Sequence, residues 1–556
     1  MRAIRAAAGA VALPLLVAAT PPAVTITPAE KAAAKAITPA RLLAHTRFLA
    51  DDLLEGRGPA TRGDRLAQAY IATQLEGMGL EPAGPNGSWF QPFDIVGVDS
   101  KAPATTLFRK GSDSVQLREH EDFIAGSGVQ VAQSRVEDAE LVFVGYGIVA
   151  PEYGWDDFKG ADVKGKVVVV MNNDPEDDPK LFAGRTRLYY GRWTYKYEQA
   201  ARMGAVAAII IHTTPSAGYG WQVVQTSWSG EQFSVPAGGE PELQVKAWVT
   251  EDSARKLAKL AGKDLDALRT SAQSKDFKAV PLGVTWSVVL ENAVGRKQTA
   301  NVIGRLPGSD PVLSKDAVVY SAHHDHLGVR EGATAGKDAI YNGAHDNASG
   351  VAAMLAIAEA MKALPRPKRS ILFAAVAAEE QGLLGAQYFA AHPTIEPGHL
   401  AANINIDGIN TVGRTKDITM IGLGKSSLDA WVKGIAAAQG RVVKPDQFPD
   451  RGFFYRSDQF ALARIGVPAA YFDEGVEVIG KPEGWGKEQK EKFEATDYHQ
   501  PSDEVKADWD LAGAVEDTQL CFYLGAKVAN DPKAPAWNAG DEFEAARKKA
   551  LADLKR

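Results

Sequence analysis

The chain has 556 residues, 45% hydrophobic and 24% charged, with a formal net charge of -7. That length exceeds one ordinary hydrophobic core, so two or more domains are expected, and the composition excludes collagen-like and low-complexity classes. The acidic balance excludes general nucleic-acid binding, which needs a basic face to displace phosphate counterions.

The N-terminus places Arg2 and Arg5 before an apolar stretch and then small residues around Ala18, Ala19 and Ala23. This is the three-part layout of a secretory signal peptide, expected over residues 1–23. Its removal takes away two positive charges and no negative ones, moving the net charge from -7 to -9. The apolar run is short and interrupted by proline, so no stable membrane insertion is expected after cleavage. The expected location is secreted or periplasmic. Cys521 is the sole cysteine, which rules out an intramolecular disulfide. It stands in the apolar helical pattern QLCFYLGAKVA and reads as buried filler.

Residues 38–124 form a first region. Within it, 51–63 (DDLLEGRGPATRG) is rich in turn residues, and 62–82 carries a helical pattern with Leu66, Tyr70, Leu75 and Met78 near one face. The texture changes over 125–290, which reads as a compact β-rich insert. Strands are expected at 139–151 and 163–173, and a helix running into a buried strand at 197–212. The Gly- and aromatic-rich stretch 218–233 reads as a long loop or hairpin, with Trp221, Trp228 and Phe233 as packing residues. His212, at the strand end with no partner in sequence, reads as structural. From 295 to 530 strands alternate with helices, the sign of an α/β domain with a mostly parallel sheet. Its strands are expected at 316–322, 370–378, 400–406 and 467–472. The segment 473–493 fits a lid or rim loop, and 531–556 ends in a charged helix.

Five polar clusters follow apolar runs in this last region. They are SAHHDHLG with His323 to His326, NGAHDNASG with Asp346, AAEEQG with Glu379 and Glu380, NIDG with Asp407, and DYHQPSDEV with His499. In an open α/β sheet, ligands bind where strands end. Five clusters that supply imidazole and carboxylate and little else suit a borderline cation such as Zn²⁺. Three ligands per ion, with one carboxylate bridging, let five ligands hold two ions.

Taken in order, these motifs resemble those of the co-catalytic zinc exopeptidases, which include secreted bacterial leucyl-type aminopeptidases and glutamate carboxypeptidases. The resemblance covers 295–530 in detail. It implies a mostly parallel sheet flanked by helices, with the insert as a protease-associated domain that covers the entrance. It implies two Zn²⁺ ions, with His323 and Asp407 on one, Glu380 and His499 on the other, and Asp346 between them. Glu379 is implied as general base and then acid, and Asp325 as the residue that orients His323. A strained or cis peptide after Asp346 is implied as well. His345 is placed beside the ligands, and His324 and His326 at packing or rim positions. The function so implied is a secreted aminopeptidase acting on peptides. The alternative is a carboxypeptidase, for which Arg451 and Arg456 could grip a carboxylate. A non-catalytic binding ectodomain would lack ligands, and here all five and the base are present.

Overall fold

The computed structural model describes residues 24–176, 178, 180–330 and 338–555, so the expected signal segment lies outside the described residues. Four parallel strands form the centre of the peptidase-region sheet. They are Ser370–Val376, Ala317–His323, Leu400–Asn405 and Ala469–Asp473, side by side in that order. The first three are buried at every residue, as strands covered on both faces must be. Antiparallel strands flank them. The end of Val280–Leu306 pairs with Ser370–Val376, and Asp417–Ile421 pairs with Ala469–Asp473.

Each face of this sheet has its own core. On one face Val318, Tyr320, Phe373 and Ile404 pack with the helices Arg62–Gly77, Gly350–Lys362 and Ala512–Asn530. On the other, Val319, Leu372 and Ala374 meet Phe389 and Leu462 from the helices Leu384–Ala391 and Gln459–Arg464. Gly350–Lys362 has almost no polar side because it lies in the middle of the first core. Its glycine and alanines let it lie close against the strands. Because the central strands are parallel, their carboxyl ends share one edge, where the chain leaves at His323, Glu379, Asp407 and Asp473.

The insert has a separate core. Phe123–Ser127, Val245–Thr250, Ala207–His212, Val167–Met171 and Gln133–Phe143 form a sheet in that order, the last four strands mutually parallel. Its core runs from Phe108 to Leu290, so it begins before the expected boundary at 125. The strand Val280–Leu306 continues through the expected 290–295 junction. Its first half pairs with Gln133–Phe143 and its second with Phe90–Lys101 and Ser370–Val376. One strand therefore belongs to both cores.

Two local expectations are corrected. The stretch 218–233 is not an open loop, because Trp221–Ser227 is helical and buries Val223 and Val224. The segment 473–493 is half helix, Trp485–Thr496. In both, Gly and polar residues masked a short helical period. The terminal helix is present as Glu544–Asp553. Cys521 is buried, and no helix of the described residues is long and apolar enough to cross a membrane.

His212 ends the central strand of the insert sheet, buried, with Nε2–H donating to the Tyr219 carbonyl at 3.1 Å. Burial lowers its pKa to about 4, and the hydrogen bond opposes this only in part. The unfolded chain takes up this proton near pH 6.5, roughly the unperturbed value, whereas the folded chain does not until about pH 4. Stability is therefore fully present above the unfolded value and is lost as pH falls toward 4, by up to about 3 kcal/mol. Thermal melting across this range should show a less steep acid loss for His212→Gln than for the native protein; parallel curves would contradict the assignment.

Candidate metal centre and active site

The five strand-end clusters meet at one edge of the sheet. His323 Nε2 lies 3.1 Å from Asp407 Oδ1 and 3.2 Å from Asp346 Oδ1. His499 Nε2 lies 3.3 Å from Asp346 Oδ2 and 3.0 Å from Glu380 Oε2. The two oxygens of Asp346 thus face different imidazoles. Glu379 Oε2 stands 3.9 Å from His323 Nε2. His326, placed at a packing or rim position by the sequence, also reaches the centre, its Nδ1–H donating to Glu380 Oε1 at 2.6 Å. Among the described residues, two groups have the spacing to hold a cation: His323, Asp346 and Asp407, and His326, Asp346 and Glu380.

Short-range contacts fix each side chain. The Asp325 carboxylate accepts the backbone N–H groups of Glu379 at 3.0 Å and Glu380 at 3.3 Å. It stands 3.8 Å from His323 Nδ1, beyond hydrogen-bond reach, so its bonded partners are the backbone amides of the paired glutamates. Ser457 Oγ donates to Asp407 at 2.6 Å and accepts from Asn405 at 2.7 Å. Ser321 and Asn403 extend this network into the buried sheet. Asp503 accepts the amides of His345 and Asp346, and Asn347 Oδ1 accepts that of Gly408, tying the Asp346 and Asp407 loops together. The Asp346–Asn347 peptide is cis. Gly343 adopts φ 55°, and a Cβ there would run into the Asp346 carbonyl and the His326 ring. His324 turns away to Asp64, 2.9 Å distant on the helix Arg62–Gly77. His345 packs on Phe493, with ring centroids 4.5 Å apart.

The insert reaches this centre. Ser227, at the end of the helix the sequence read as loop, bonds His499 Nδ1 at 2.7 Å. It therefore fixes the ring so that Nε2 faces Asp346 and Glu380.

Electrostatics separates the adjacent glutamates. Burial works to raise Glu380, but His499 and His326 outweigh it and bring its carboxyl down to about 2. Glu379 is pushed well above the carboxylate range, by burial first and then by the charges of Glu380 and Asp407. Burial lowers His323, yet Glu379 and Asp407 outweigh it and raise the imidazole well above its ordinary value. Among the described residues, no lysine or arginine forms an ion pair with Asp346, Glu379, Glu380 or Asp407. So many carboxylates in little solvent, faced only by imidazoles, are the donor set and charge deficit that divalent cations satisfy.

Sheet, strand-end carboxylates and imidazoles together define a candidate metal centre at the carboxyl edge of an α/β domain. Residues 301–523 match Peptidase family M28. Among curated proteins, the chain is 24% identical to aminopeptidase YwaD of Bacillus subtilis over 366 residues, 65% of this chain and 63% of that protein. It is 33% identical to a vacuolar membrane protease of Clavispora lusitaniae over 123 residues, 22% of this chain and 11% of that protein. The matches therefore span less than two thirds of these relatives. Among solved structures, an aminopeptidase from Aneurinibacillus sp. strain AM-1 superposes with TM-score 0.54 at 19% identity, covering 91% of this chain and 97% of that one. At that identity the likeness shows the shared fold.

Removing the Asp325 acceptor should loosen both glutamates together. Asp325→Ala is expected to weaken metal binding roughly 10- to 100-fold, and Asp325→Asn, which keeps one acceptor oxygen, by less. Bound metal measured after dialysis against a weak chelator checks this; native metal content in Asp325→Ala would refute it.

Proposed function

We propose that this chain is a secreted or periplasmic di-zinc aminopeptidase that releases the N-terminal residue of peptides. The observation that carries the reading is the shared Asp346, its two oxygens facing His323 and His499, with Glu379 beside it at the cavity mouth. The names of the Bacillus and Aneurinibacillus relatives support the aminopeptidase assignment. The N-terminal pattern around Arg2 and Arg5 supports export.

His323, Asp407 and Asp346 would hold one zinc, and His499, Glu380 and Asp346 the other. We assign His499 rather than His326 because its Nε2 lies within 3.3 Å of both carboxylates. His326 then steadies Glu380 through the other oxygen. Three carboxylates against two divalent charges leave a net +1, which favours an anionic transition state. When bound, the zinc pair supplies the positive charge that polarises a peptide carbonyl and acidifies water. Glu379 takes the proton from the attacking water and returns it to the leaving amine nitrogen. Asp325 and Ser457 hold Glu379 and Asp407 in place through these steps.

The substrate ammonium has a place to go. A cavity of about 110 Å³ is lined by Asp346, Glu379 and Asp407 and also by Asp473, Glu474 and Glu494, of which Asp473 is paired with Lys490 and Glu494 with Arg451. Gly218 and Tyr219 of the insert line the same cavity, and in this reading the insert limits access to chain ends.

Leu-, Ala- and Lys-p-nitroanilide should each release nitroaniline, with activity lost to chelator and restored by zinc. Glu379→Gln should keep both metals and lose roughly 10²- to 10⁴-fold in kcat, the scale of general acid–base catalysis. Glu380→Gln should lose metal. Equal metal loss from the two variants would exchange or abolish their roles.

A further inference from the structure

The cavity at the metal centre takes its walls from both halves of the molecule. Gly218 and Tyr219 come from the insert, and Phe453, Arg456 and Ser457 from the peptidase region. Two further arginines, Arg187 and Arg451, join these walls from behind, and the chemistry assigned above uses neither.

Arg187 belongs to the insert and is 3% exposed. Its Nε–H donates to Asn173 Oδ1 at 2.8 Å, and its guanidinium also donates to the Ser216 carbonyl, two residues before Gly218. Its backbone N–H crosses to the peptidase region and donates to the Pro449 carbonyl at 2.8 Å. Its stem lies against Gly452, where a Cβ would stand 2.9 Å from Arg187 Cδ. Arg451 makes the converse contact. It belongs to the peptidase region, and a Cβ on Gly218 would stand 3.0 Å from its Cδ. The Arg451 charge is taken up by Glu494, on the helix Trp485–Thr496 that supplies Lys490 and Phe493 to the cavity. Each arginine thus lies along a glycine of the other segment. Gly218 is itself a cavity residue, and Gly452 precedes one, Phe453.

Filling space beside Gly452 does not require a charge at 187. Among the described residues Arg187 forms no ion pair with a carboxylate, and burial lowers its pKa to about 10, with Asp174 opposing the fall. A buried guanidinium without an ion-pair partner is costly unless its N–H groups find acceptors. The Asn173 amide and the Ser216 carbonyl are those acceptors, and the rigid fork fixes one relative to the other. Resting on the aminopeptidase reading, we propose that Arg187 and Arg451 form a reciprocal clasp that sets the width of the pocket for the N-terminal side chain. Arg187 is then a positioning residue, which touches no substrate but holds the insert wall against the segment 449–457. Ser457 keeps its own bonds to Asp407 and Asn405, so the metal centre outlasts loss of the clasp.

The test measures kcat and KM of zinc-loaded enzyme for Ala-, Leu-, Phe- and Trp-p-nitroanilide. The proteins compared are native, Arg187→Ala, Arg187→Lys, Arg451→Ala and the double alanine variant. The spread of kcat/KM across the side chains is expected to narrow roughly 10-fold in either alanine variant, mainly through KM, because a pocket discriminates side chains by fit. Bound zinc should stay at the native level, and Arg187→Lys, which keeps a stem and a charged donor, should retain part of the spread. Since both contacts serve one junction, the double variant should narrow the spread little beyond either single one. An unchanged spread in the single variants overturns the clasp, and so does additive narrowing, which gives the arginines separate roles. Amide hydrogen exchange reads the clasp without turnover. In Arg187→Ala, 213–220 and 449–457 should both exchange faster while 400–408 keeps its native rate. Native exchange in 449–457 also overturns the clasp. If the native enzyme cleaves none of the nitroanilides yet both segments loosen together, the aminopeptidase reading falls and the clasp stands.

Discussion

The carboxyl edge of the sheet is organised around one electrostatic constraint: Asp346, Glu379, Glu380 and Asp407 converge where little water reaches and, among the described residues, no lysine or arginine pairs with them. Like charges held this close in low dielectric repel strongly unless cations or protons intervene. The imidazoles of His323, His326 and His499 answer part of that charge. Divalent cations at the two candidate sites would answer the rest. The site can be read as a preformed deficit of positive charge, with the surrounding structure arranged to keep the carboxylates from moving apart.

That restraint comes from neutral or paired groups a residue or two behind the ligands. Arg57 is fully buried and donates to the carbonyls of His324, Asn342 and Gly343, pinning the His323 and Asp346 loops to the N-terminal region. Burial lowers its pKa to about 10, and Asp325, Asp503, Asp346 and Glu380 oppose the fall. Its charge therefore offsets part of the cluster from outside without occupying the coordination space. Asp325 works through two backbone amides, Asp503 through two more, and Ser457 through a hydroxyl relay into the sheet. These bonds hold positions that repulsion alone would disperse.

The convergence of the five motifs was legible in the sequence because each follows an apolar run, and parallel strands deliver such runs to one edge. The central strands appear within a few residues of where their apolar runs stand. The partners that orient the ligands were less legible. His326 lies three residues from His323, and only the turn of the loop decides that its ring points at Glu380. Ser227 is 272 residues from His499, and nothing local marks it as a partner. The Trp221–Ser227 helix was hidden because glycines and aromatics on either side outweighed its two buried valines. The insert boundary was misplaced because a single 27-residue strand, Val280–Leu306, serves two cores, and a composition shift cannot divide a continuous ladder.

That shared strand bears on function. A domain joined by a flexible linker could cover the cavity only loosely, whereas a continuous ladder sets the insert's position relative to the catalytic edge. The precision is used at two points. Ser227 bonds a candidate metal ligand directly, and Arg187 packs against Gly452 of the peptidase region. A shift of the insert by about 1 Å would break the first contact, since hydrogen bonds weaken steeply beyond their narrow distance range. The candidate metal centre and the insert are thus mechanically linked through one strand, and a change in the insert core can reach the strand-end edge without touching any residue there.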